Sequence, residues 1–205
     1  MLGLIGKKVG MTQVFDERGV LTPVTVIKIE DNIVVADRNE EKNGYNAKVI
    51  GSIDIKEKHV TKPYKGQFGE LPPKRYLKEI RDFDMEVSVG DLMGVSLFKD
   101  FTHVDIEGTS KGKGYQGVMK RHGFGGGRST HGSKFHRGLG GTGMAATPSR
   151  VQKGSKMPGR MGGVKTSVQN LRIVKIDEEK QVLMVKGAVP GPRDGMVIVK
   201  KAKKK

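Results

Sequence analysis

The chain has no cysteine among its 205 residues, so it can build no disulfide, thiol nucleophile or cysteine metal site. No apolar run approaches the length of a membrane span. The opening Met1–Met11 places Lys7 and Lys8 after a short apolar stretch, the wrong order and length for a secretion signal. These absences predict a soluble, cytoplasmic protein. Apolar residues make up 35% of the chain, which is low for a wholly globular protein. The length allows one domain, or one domain with a large insertion. The most informative absence is of negative charge. Between Gly108 and Ile176, sixty-nine consecutive residues include no Asp and no Glu.

That window holds fourteen Lys and Arg, against a net charge of +16 for the whole chain. Residues 1–107 carry 16 basic and 18 acidic side chains, and residues 177–205 carry 8 and 4. A block of one sign repels itself and resists compaction unless a polyanion neutralises it. Nucleic-acid phosphate is the commonest such partner. A solubilising surface normally mixes both signs, so an ordinary solvated face does not explain this segment.

The flanks are patterned for strands. Val24–Ile29 is β-branched, Ile33–Ala36 follows a turn at Glu30-Asp31-Asn32, and Ala47–Ile55 follows Asn43-Gly44. Tyr76–Phe83, Leu92–Phe98 and His103–Ile106 are further candidates. Thr61 and Pro63 could start a short helix that Gly66 limits. After the basic window, Leu171–Ile176 and Gln181–Val185 read as a hairpin, and Met196–Val199 as a last strand. Short strands with frequent turns on both sides of an insertion predict a mainly β fold, with a closed or nearly closed small barrel. The expected division is a globular barrel from residues 1–107 with 166–205, and an extension over 108–165. Residues 200–205, with five lysines, form a basic tail, either disordered or bound to phosphate.

Gly108–Asn170 contains seventeen glycines and no sustained apolar period. Glycine costs backbone entropy on ordering, so this segment is expected to be disordered or ordered by a partner. Its cations are spread along it: Lys111, Lys113, Lys120 and Arg121, then Arg128, Lys134 and Arg137, then Arg150, Lys153, Lys156, Arg160 and Lys165. Such spacing fits an extended chain threading between nucleic-acid strands. No stretch could hold a recognition helix for a DNA major groove, which favours folded RNA. His131 and His136 lie among these cations, beside Phe135, where phosphate hydrogen bonding or base stacking is the favoured role. Their spacing permits a metal pair, but no carboxylate or thiol is near to complete a site.

Catalysis finds little support. Gly112-Lys113-Gly114-Tyr115-Gln116-Gly117 matches G-x-G-x-x-G, so a nucleotide-binding enzyme is one alternative. The dinucleotide mechanism also needs a following helix and an acidic residue about twenty positions on. Here Gly123–Gly127 interrupts any helix, and the next carboxylate is Asp177. The serines of the window have no acid to orient a histidine. No catalytic residue, metal or cofactor is expected. A general nucleic-acid compactor is the other alternative.

Phe98, Asp105, Gly108, Ser110, Gly112-Lys113-Gly114, Gly117 and Arg121 stand at the spacing F-x6-D-x2-G-x-S-x-G-K-G-x2-G-x3-R. This resembles the signature of the L-three family of large-subunit ribosomal proteins, in its short bacterial form. Gly3–Thr12, Lys153–Gly159 and Val185–Gly191 are similar to further motifs of that family. The resemblance implies a translation-protein-like barrel on the subunit surface. It implies an extension reaching through 23S rRNA toward the peptidyl-transferase centre, and a role in early subunit assembly. It also implies neighbours among large-subunit proteins, notably L-fourteen and L-nineteen. Where some bacterial members carry a methylated glutamine near the extension tip, this chain has Ala146, so that modification cannot occur there.

Overall fold

The computed structural model describes residues 1–204 and divides into two compact units, Met1–Thr109 with Lys165–Lys205, and Ser110–Val164. The first unit opens with β1 (Gly3–Phe15), β2 (Leu21–Lys28) and β3 (Asn32–Arg38), then α1 (Glu40–Asn43) and β4 (Ala47–Asp54). It continues through α2 (Lys62–Lys65), β5 (Lys74–Arg81), β6 (Leu92–Met93) and β7 (His103–Thr109). The second unit holds β8 (Tyr115–Gln116), α3 (Val118–His122) and β9 (Gly159–Arg160). The first unit then resumes with β10 (Lys165–Asp177), β11 (Val182–Lys186) and β12 (Met196–Lys201).

Six strands close an antiparallel barrel in the order β1-β12-β7-β10-β11-β2, and a second sheet runs β5-β4-β3-β6. The predicted mainly β barrel is therefore present. Closure leaves the barrel no open edge, and register shifts in β1 and β10 supply the bending it needs. Alternate residues face inward, so Leu4, Ile27, Val104, Ile106, Leu183 and Val199 meet in one core. Ile50, Ile80 and Met93 of the second sheet join the same core.

Asn32 shows how the two sheets are tied. Its side chain is fully buried, and its Oδ1 accepts from the Ile5 N–H at 3.0 Å. Its Nδ2 donates to the carbonyls of Ile5 and Glu30. The amide thus behaves as one more strand residue against β1, where the chain leaves the barrel. Thr25 is also buried, and its hydroxyl donates to the Gly187 carbonyl at 2.6 Å.

Several sequence expectations need correction. β1 was not anticipated as a strand, because Gly3, Gly6 and the Lys7-Lys8 pair hide its alternation. Gly6 is required by packing: a Cβ there would sit 2.7 Å from Ile27 Cγ2. Leu92–Phe98 is strand only at Leu92–Met93; the Val95 N–H donates to Gln181 Oε1 at 3.2 Å, and Val95–Phe98 forms a 3₁₀ turn that buries Val95 and Phe98. Gly108, Thr109 and Lys165, assigned by sequence to the extension, are paired between β7 and β10. Lys200 and Lys201 are not free tail. They end β12, paired to β1 and β7, and Ala202 beyond them is buried. The expected tail continues to Lys205, which lies outside the described residues.

Glu107 explains part of that pairing. Its carboxylate is almost covered, and it accepts from Lys165 at 2.7 Å and from Lys200 at 3.0 Å. Burial alone would push its pKa up, but the two ammonium groups outweigh burial and hold it below the usual glutamate range.

Candidate nucleic-acid interface

The Ser110–Val164 unit buries few apolar side chains. Val118 is the one large hydrophobic side chain of this unit that is fully buried among the described residues. Its order comes from the backbone. Ser110 and Val164 are bonded at its base, and Ser110 accepts from the Gly163 N–H at 3.1 Å. Further along, the Lys113 N–H donates to Met161 and the Met161 N–H donates to Gly114, both at 2.9 Å. β8 and β9 then pair through Tyr115 and Arg160. The two limbs form a short ribbon.

Glycine permits this closeness. A Cβ on Gly162 would overlap the Lys111 carbonyl, and a Cβ on Gly127 would overlap the Phe135 carbonyl. Backbones with side chains could not approach that far, so glycine here substitutes for apolar packing. Apolar periodicity does not reveal this order, because it rests on backbone hydrogen bonds and close glycine contacts.

Helix α3 is one turn and stops at Gly123, which takes a left-handed conformation (φ 73°). Its last residues brace the other limb. Arg121 Nη1 donates to the Met157 carbonyl at 2.6 Å, and His122 Nε2 lies 3.1 Å from the same oxygen. The guanidinium lies against Gly159, where a Cβ would come within 2.6 Å of Nη1. His136 Nδ1 is 2.9 Å from the Arg128 carbonyl, and Gly127 N–H donates to His136 O.

The predicted site residues are therefore of two kinds. Arg121 is half-buried and braces the limbs, His136 is exposed but tied to the backbone of Arg128, and Lys165 is bound to Glu107 in the barrel unit. Lys111, Lys113, Lys120, Arg128, His131 and Lys134 are exposed, as are Arg137, Arg150, Lys153, Lys156 and Arg160. No carboxylate exists within this unit to pair with any of them. His131 sits in a left-handed turn (φ 57°) beside Gly132. No cluster of three potential metal-ligating His, Asp or Glu is found among the described residues. A hollow of about 370 Å³ is lined by Phe124, Leu139, Gly141, Thr142, Gly154 and Ser155, with Lys156 and Met157.

The Gly112–Gly117 loop is unsuited to a dinucleotide. The Lys113 amide and the Gly114 carbonyl are engaged across the ribbon, and the helix that follows is five residues long. Sequence reasoning missed Tyr115, which is 79% exposed on the ribbon and offers a ring for stacking. Its place beside Lys113 and Gln116 in a carboxylate-free stretch was the available signal.

A family model described as ribosomal protein L3 matches residues 77–182. The large ribosomal subunit protein uL3 of Treponema denticola is 58% identical over 206 residues, 100% of this chain and 99% of its own length. The protein of that name from Borrelia hermsii is 56% identical over 207 residues, at 100% and 99% coverage. That from Borreliella burgdorferi (strain ZS7) is 54% identical over 207 residues, at 100% of both chains.

Proposed function

The chain belongs to the ribosomal protein L3 family, a structural constituent of the large ribosomal subunit and not an enzyme, and on that premise we propose that Ser110–Val164 is the part that penetrates ribosomal RNA. Membership places it in the cytoplasmic ribosome, with rRNA and other ribosomal proteins as partners.

One observation carries the proposal: eleven Lys and Arg stand in Ser110–Val164 with no Asp or Glu, and all but Arg121 are exposed. At physiological salt, charges within about 8 Å still repel one another, so these cations favour a site where phosphates surround them. The exposed Lys and Arg, with His131, meet phosphate oxygens or bases directly. Arg121 and His136 hold the limbs in the shape that RNA receives, and Lys165 anchors the barrel strand at the root. Small residues at the tip, Gly141, Gly143, Ala145 and Ala146, suit a narrow crevice near the peptidyl-transferase centre. The barrel stays at the subunit surface, where L-fourteen and L-nineteen are its expected neighbours, and binding occurs early in assembly.

The test compares Arg150→Glu with Lys42→Glu in binding to a large-subunit rRNA transcript across a salt series. Losing one phosphate contact should lower the salt slope by about one unit for Arg150→Glu, with little change for Lys42→Glu. A general compactor would be displaced by excess duplex DNA, whereas this complex should persist. Equal effects from the two substitutions would show that the extension is not the principal contact.

A further inference from the structure

The barrel unit has a charge asymmetry of its own. Residues 56–81 hold eight Lys and Arg against three Glu, while the remainder of 1–107 holds eight against fifteen acids. The basic stretch includes β5, the outer strand of the second sheet, and of its cations Lys74 is paired with Asp54 at 2.7 Å. Among the described residues β5 pairs only with β4, so no strand lies along its other backbone edge. Arg75 and Arg81 are exposed along it and Lys78 is half-buried. The Arg81 guanidinium lies 4.5 Å from the ring centre of Tyr45, and that of Arg75 lies 5.4 Å from the ring centre of Tyr76. Glu79, the one acid on the strand, accepts from Tyr45 Oη at 2.9 Å and pairs with Arg38 at 3.4 Å.

The cations continue off the strand. Tyr64 Oη donates to the Lys74 carbonyl at 2.6 Å, which holds α2 beside the start of β5 with Lys62 and Lys65 exposed. The Ile55 N–H donates to Pro73 O at 3.3 Å, which brings the 3₁₀ turn Glu57–His59 to the same end. Cations on an edge strand also discourage strand addition. That role requires neither rings beneath the guanidiniums nor cations beyond the strand.

We propose that the β5 edge together with α2 is a second RNA-binding surface, taking the sugar–phosphate backbone of ribosomal RNA. A guanidinium resting on a ring keeps its planar fork of donors for phosphate oxygens. The open amides of β5 add further donors. The inference rests on the reading that this chain binds rRNA, but on none of the extension's residues.

The test uses the full chain and a large-subunit rRNA transcript over a salt series. Three triple variants are compared: Arg75→Glu/Lys78→Glu/Arg81→Glu on the sheet, Arg128→Glu/Arg150→Glu/Lys153→Glu on the extension, and Lys180→Glu/Lys186→Glu/Arg193→Glu as a control. The sheet variant should weaken binding about tenfold or more and lower the salt slope by about two to three units. The corresponding Gln triple on the sheet should lower the slope similarly while keeping the wild-type unfolding midpoint, which excludes misfolding as the cause. Unchanged affinity in both sheet variants, with loss in the extension variant, would overturn this surface alone. Unchanged affinity in the extension variant would instead overturn the reading of Ser110–Val164. An equal loss in the control would reduce the effect to net charge and overturn the proposal. So would normal RNA affinity with failed incorporation into subunits, which would make the surface a protein contact.

Discussion

The barrel unit and the Ser110–Val164 unit are held together by opposite means. In the first, Leu4, Ile27, Phe98, Ile106 and Leu183 are completely buried, and the buried side chains of Asn32 and Thr25 are hydrogen-bonded to backbone. In the second, glycine lets two limbs bond backbone to backbone, and Arg121 and His122 brace one limb against a carbonyl of the other. A unit that excludes water with side chains has its own source of stability. A unit whose cations face outward, and whose limbs meet through a few glycines such as Gly159 and Gly162, has little apolar burial. The difference teaches that one chain can carry a part ordered by apolar side chains and a part ordered by its backbone.

The largest expected effect tests the self-sufficient part. Phe98→Ala removes a ring with no exposed surface and should cost about 3–5 kcal/mol, lowering the unfolding midpoint of the free protein. Val118→Ala, the same kind of change in the other unit, should leave that midpoint within a degree or two. Similar drops from both would erase the distinction drawn between the units.

The converse experiment targets the glycine contacts. Gly127→Val places atoms where the Phe135 carbonyl lies, so the loop between Gly127 and His136 must open. The free protein should unfold as the wild type does, while the yield of large subunits assembled with the variant falls severalfold or more. Ala146→Trp should act in the same direction through bulk at the tip. A variant that assembles into fully active subunits would show that this shape is not what RNA receives.

A smaller effect is expected where Glu107 joins Lys165 and Lys200. Glu107→Gln should cost about 1 kcal/mol at neutral pH, because both lysines retain contact with solvent. The folded-state pKa of Glu107 is lowered, so its contribution is complete above the ordinary glutamate range. It disappears as pH falls through the lowered folded value. The gap between wild-type and variant unfolding midpoints should therefore close on acidification, and a gap that widens instead would contradict the assigned pairing. The smallest effect belongs to Arg121→Lys. It keeps the charge but loses the reach to Met157 O, so rRNA affinity should fall about two- to fivefold with an unchanged salt slope. A slope lowered by a full unit would make Arg121 a phosphate contact instead.

Much of this is legible in the sequence. β2, β3, β4 and β7 stood out because β-branched runs were bounded by turns such as Asn43-Gly44. β1 did not, because its glycines are set by what crosses them, as Gly6 is by Ile27. The 3₁₀ turn at Val95–Phe98 was hidden for the opposite reason, since its apolar residues look like a strand, while the Val95 N–H is taken by the distant Gln181 side chain. Among the candidate site residues, charge and exposure were predictable for Lys and Arg alike. That Arg121 should brace a limb rather than face outward was not.

By itself, the sequence determined where charge of one sign accumulates, where apolar alternation can form strands, and that no thiol chemistry is possible. These properties depend on residue type and local order alone. Only the tertiary structure decided which strands close the barrel, which glycines are irreplaceable, and that the Arg81 guanidinium rests over the ring of Tyr45. Each of those depends on what a residue meets from a distant part of the chain, and steric contact and hydrogen bonding act only across a few ångströms of space.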